Sequence, residues 1–144
     1  MKIKTDFITN SSSSSFVIMS RIPLNKSQLK QEITEALNLS SIGNTLLPHL
    51  GEDIARVLSS DLTYCGINGY LDDYGYDDVS ELEKRSRIGR WKIGERVYEN
   101  YKEYPYIMFG SVSNESDEPM ELMLVDTDID FKNEKIIVVK DGGF

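Results

Sequence analysis

The chain has 144 residues, of which 40% are hydrophobic, with eight tyrosines and five phenylalanines. That is one domain's length with enough apolar material to fill a core, which excludes disorder over the whole chain. A net charge of −8 disfavours a nucleic-acid binder, which neutralises phosphates with clustered Lys and Arg, and no apolar run approaches the ~20 residues of a membrane span.

The chain opens with MKIKTDFITN. Ile3–Ile8 has the apolar and β-branched content of a short strand, and so has Phe16–Met19. Between them lie Ser11, Ser12, Ser13, Ser14 and Ser15, expected as a hairpin connection or a bulged edge. Lys2 and Lys4 are basic, but Asp6 and the serines replace the apolar stretch that a signal peptide needs. The single cysteine, Cys65, cannot form an internal disulfide, which fits a reducing cytosol. A cytoplasmic protein is expected, in the host cytosol or the virion if phage-encoded.

The leader Lys2-Ile3-Lys4-Thr5-Asp6-Phe7-Ile8-Thr9-Asn10, the serine run and Phe16-Val17-Ile18 resemble the start of a family of small bacteriophage, prophage and Firmicute proteins. These share K-x-[KR]-x-x-F-[VI]-[TS]-N-S-S-S-S-S-F-[VI]; their function is not established. A looser likeness runs from Ile107 to Val139. The resemblance implies a phage or Firmicute origin and an accessory role. It carries over no catalytic residue.

Further along, Asn25 and Gln28 stand at capping-box positions, and Leu24 with Leu29 makes a hydrophobic staple. Leu29, Ile33, Ala36 and Leu37 then repeat at helical spacing, so the pattern predicts a helix over about 26–38 with one buried face. Leu46, Leu47, Leu50, Ile54, Val57 and Leu58 predict a second helix, starting near Thr45 or Leu46 because Pro48 is tolerated only in a first turn. Residues 60–78, rich in Gly, Asp and Tyr, read as a long loop, after which Asp78 caps a short helix through Glu81. Residues 91–101 fit a helix or a strand equally. Beyond Pro105 the pattern is β: Tyr106–Val112, Met120–Val125 and Lys135–Lys140, joined by connections short enough for an antiparallel meander. Ile136–Val139 is apolar at consecutive positions, as in a strand buried on both faces. The expected fold is α+β over residues 1–144: a single domain with a mainly antiparallel sheet, formed by the C-terminal meander plus N-terminal strands. Two or three helices pack on one side. No internal repeat is present.

Candidate chemistry is sparse. The serine run reads as a polar spacer, as an ordered turn meeting a phosphate or a partner, or as a modification target. No Gly-x-Ser-x-Gly elbow surrounds any serine. The lone histidine, His49, sits on or beside the apolar face of the second helix, and one His with one Cys cannot build a structural zinc site. Asp126, Asp128 and Asp130 alternate in the manner of hard-cation ligands, yet Phe131 occupies the glycine position of a calcium loop and Ile137 its bidentate glutamate position. Gly66-Ile67-Asn68-Gly69 is too short for a phosphate loop. No catalytic residue, cofactor or metal is therefore expected.

The preferred contact surface is the loop itself: Tyr70, Tyr74 and Tyr76 as anchors, with Asp72, Asp73, Asp77, Asp78, Glu81 and Glu83 as charge. A basic cluster follows at Lys84, Arg85, Arg87, Arg90 and Lys92. The favoured function is a non-catalytic, acidic accessory factor that occupies a basic surface on a host or phage protein. Two rivals stand beside it. One is a virion or assembly component that self-associates through its N-terminal strands. The other is an enzyme of unfamiliar type acting on a nucleotide or phosphate compound through the serine run or the 126–130 aspartates.

Overall fold

The first helix is built as its sequence dictates. The Gln28 N–H donates to Asn25 Oδ1 at 2.8 Å, and the Asn25 N–H donates to Gln28 Oε1 at 3.0 Å, a reciprocal cap. In the computed structural model, which describes residues 13–39, 50–60, 62–89, 92–113, 124 and 129–140, this helix is α1, Lys26–Leu39. It follows β1, Ser13–Ser20, and precedes α2, Leu50–Leu58. Then come β2 (Thr63–Cys65), α3 (Ile67–Asp73), α4 (Val79–Gly89) and α5 (Lys92–Asn100). The last three strands are β3 (Tyr106–Ser113), β4 (Ile129–Lys132) and β5 (Ile136–Lys140).

The five strands form one antiparallel sheet in the order β2-β3-β1-β5-β4. The antiparallel sense is as expected, but the C-terminal strands do not run as an unbroken meander. β1 inserts between β3 and β5, with Phe16 opposite both Gly110 and Lys140. β4 lies within the stretch expected as the connection before the last strand, and it pairs with β5 as a hairpin, Ile129 facing Lys140. Of the segment 120–125, only Leu124 is described, and it is buried.

Because side chains alternate along a strand, β1 supplies both faces of the sheet. Phe16 and Ile18 pack with Leu29, Ile33 and Leu37 of α1 and with Ile54 and Leu58 of α2. This is the expected pair of helices on one side. Val17 and Met19 turn the other way, onto Tyr70 and Leu71 of α3, Leu82 of α4, and Ile93 and Val97 of α5. A second helical layer thus covers the opposite face. β5 explains the demand for it: Ile136, Ile137, Val138 and Val139 are all buried, two to each core. A sheet with apolar residues at consecutive positions must be covered twice. The expectation for Ile136–Val139 is met, and β1, with it, is interior.

Residues 60–78 are not a long loop. They hold β2 and α3, and the glycines that suggested a loop are punctuation around them. Gly66 precedes α3 and its carbonyl accepts from Tyr70 N–H at 2.9 Å. Gly69 lies against β2, where an added Cβ would meet Cys65 Cβ at 2.7 Å. Gly75, at φ +76°, ends α3: its N–H donates to Asp72 O at 3.2 Å, and Tyr76 N–H donates to Leu71 O at 2.8 Å. That pair of bonds is the Schellman ending, whose left-handed position favours glycine.

Residues 92–100 resolve as helix, since Ile93 and Val97 fall one turn apart on the buried face. The first turn expected for the second helix, with Pro48 and His49, lies outside the described residues, as does the Ile3–Ile8 segment.

Candidate functional site

The corner between α3 and α4 carries most of the residues singled out by sequence. Its tyrosines face inward. Tyr70 is wholly buried, its ring edge-on to Tyr74 with centroids 4.6 Å apart at 68°. Tyr74, half-buried, continues to Phe109 of β3 at 6.1 Å. Tyr76 is half-buried, with the Arg85 guanidinium 5.6 Å from its ring centroid. As an exposed anchor Tyr70 is therefore corrected: it fills the core beneath α3, because the Schellman turn folds the segment back onto the sheet.

The carboxylates point outward. Asp72, Asp73, Asp77 and Asp78 are exposed, and Glu81 and Glu83 are half-buried. Two of them also shape the corner. Asp78 Oδ1 accepts from Glu81 N–H at 3.0 Å, and Glu81 Oε1 accepts from Asp77 N–H at 2.8 Å. This is the cap expected at Asp78, opening α4 with its charge at the positive end of the helix.

Burial sets the acid–base character of the interior. It pushes Tyr74 up to about 12, assisted by the Asp73 charge, and pushes Tyr70 well above the usual phenol range. Cys65, half-buried on β2, is pushed up to about 11, by burial first and then by Asp73. These groups stay protonated near neutrality, so neither a phenolate base nor a thiolate nucleophile forms there.

The other candidates do not converge with this corner. Ser13, Ser14 and Ser15 begin β1 opposite Ser113, Val112 and Ser111. Ser14 is buried and Ser15 exposed, so these three serines are strand, not a connection or spacer. Ser11 and Ser12 lie outside the described residues. From Phe16 to Ser20, β1 has strands on both sides, so these residues offer no edge to a second chain. Asp130, on β4, accepts from Arg96 of α5 at 2.6 Å, while Asp126, Asp128 and His49 are not described. Among the described residues no three His, Cys, Asp or Glu side chains gather as a metal site.

One feature escaped sequence reasoning. A groove of about 510 Å³ runs between α1 and the β4–β5 turn, lined by Glu32, Glu35, Leu39, Tyr104 and Lys135 among others. Glu32 forms its buried wall, accepting from Asn133 Nδ2 at 3.0 Å and pairing with Lys135 Nζ at 3.3 Å. The signal was a glutamate inside the Leu29–Ile33 stripe of α1, where a solvated charge does not belong. Here it ties the helix to the turn.

No family model, curated protein or solved structure matches the chain. Among the described residues, no helix is long and apolar enough to cross a membrane.

Proposed function

We propose that this chain is a non-catalytic binding module of the phage or prophage accessory type, acting in the cytosol by occupying a basic surface of another protein. One observation carries the reading. Asp72, Asp73, Asp77 and Asp78 stand exposed on a corner that the α3 ending and the α4 cap hold in place. A fixed array of like charge meets a basic partner without first being ordered, which favours both encounter rate and specificity. Glu81 and Glu83 extend it along α4. The tyrosines serve from below as the platform, with Tyr76 and its Arg85 neighbour at the margin.

Exchange of these six carboxylates for amides tests the reading. Asn at 78 and Gln at 81 retain the oxygen acceptors of the cap, so the fold survives while the charge goes. Capture from host lysate with the full chain should recover a partner that dissociates between 50 and 500 mM salt, where the screening length falls from roughly 14 to 4 Å. The amide variant should recover none. Equal recovery by both forms rejects the acidic surface as the binding element.

A further inference from the structure

The edge of the sheet beside this corner has its own chemistry. Among the described residues β2 pairs with β3 alone and forms one end of the sheet. Its sequence, Thr63-Tyr64-Cys65, contains no charge and no proline, the residues that commonly guard an edge. The two faces along this edge differ. Tyr64 lies opposite Met108, on the α1–α2 side, and Tyr106 is its diagonal neighbour on that side. Tyr64 donates its hydroxyl to Leu24 O at 2.8 Å, and Ile22 follows Ser20, the residue opposite Tyr106. Tyr64, Ile22 and Tyr106 are 54%, 46% and 41% exposed, three of the four large apolar side chains open to solvent among the described residues.

On the other face lies α3. Gly69 packs directly on Cys65, and Asp72 and Asp73 end the helix exposed. The Asp73 charge is felt at Cys65 itself.

We propose that the β2 edge accepts an extended segment of the partner as an added strand, in which basic residues alternate with apolar ones. Residues of an added strand point alternately to the two faces. One set meets Asp72 and Asp73; the other lies against Tyr64, with Tyr106 on the next strand behind it. Main-chain bonds to Thr63–Cys65 supply the register. The charge on one face and the apolar cover on the other select for alternation, and a block of lysines next to a block of valines satisfies neither. This rests on the acidic-surface reading and adds to it the conformation and pattern of the partner segment.

The test uses the full chain and three capped peptides: Lys alternating with Val and Thr, the same composition in blocks, and the alternating sequence N-methylated at every second amide. The alternating peptide should bind about tenfold tighter than either control, by fluorescence anisotropy, and should slow amide exchange at Thr63–Cys65. D72N/D73N should weaken it without altering exchange in the free protein. Equal binding of all three peptides, with β2 exchange unchanged, overturns strand addition and leaves the acidic surface standing as a plain charge contact. Failure of all three to bind also overturns strand addition, whereas the acidic-surface reading falls only if the six-amide variant captures the same partner.

Discussion

Asp78 holds the most consequential cap in the functional corner: its carboxylate accepts from the Glu81 N–H, and Glu81 in turn accepts from Asp77. Losing such a cap costs about 1 kcal/mol, whereas a residue that keeps the acceptor costs a few tenths at most. Asp78→Ala should therefore lower the denaturant midpoint measurably, and Asp78→Asn should leave it close to the parent value. If both variants were destabilised alike, charge at the helix end would outweigh the hydrogen bond, and the six-amide variant would need its fold checked independently. Tyr70 illustrates the opposite fate at this scale. The same Gly, Asp and Tyr composition that suggests a contact loop also suits a short helix closed by Gly75, and burial under α3 removes the ring from any surface.

Among the elements, β1 matters most, because its alternate residues serve both cores and its two sides bond β3 and β5. Deleting residues 1–20 takes away the middle of the sheet, leaving β3 and β5 without their shared partner. Circular dichroism of that truncated chain should show loss of cooperative unfolding. A truncated chain that still melted cooperatively would mean β3 and β5 can pair directly. A shift to monomer on such a truncation therefore says nothing about self-association, since the fold goes with the strand. Other ties are more modest. Arg21 joins Glu103, the Tyr104 hydroxyl and the Glu134 carbonyl, and Arg96 pins α5 to the β4 edge through Asp130. Being open to solvent, such ion pairs are screened and add little to stability. They orient helices that the cores already hold.

At the scale of the whole molecule, the core beside α3 gathers acids that burial keeps neutral: Cys65, raised from its ordinary 9.0 to about 11, Tyr74, raised from 10.0 to about 12, and Tyr70, raised well above 10.0. In the unfolded chain each would release its proton at its ordinary value. Their contribution to stability is thus complete below about pH 9 and is lost as pH rises through 11 and 12. Urea midpoints should be level from pH 7 to 8 and fall steeply above 9. A flat profile to pH 11 would show that these side chains reach solvent in the folded state.

Several features were legible in the chain because they are local. The Asn25–Gln28 cap, the stripe of α1, the Asp78 cap and the apolar run of β5 each depend on residues within a few positions of one another, and each is found as read. The acidic character of the 72–83 segment was equally plain, since exposed charge needs no partner to be seen. Long-range geometry decided the rest. A glycine reads alike as loop and as helix ending until the bonds from Gly75 and Tyr76 back to Asp72 and Leu71 are known. The order of strands depends on which edges meet, so β1 between β3 and β5 was invisible in any window of sequence. Residues 92–100 fitted either period, and only the core into which Ile93 and Val97 pack chose the helix. The juxtaposition of α3's carboxylates with the β2 edge is likewise a product of folding, because it requires the sheet to be assembled before either face of that edge exists.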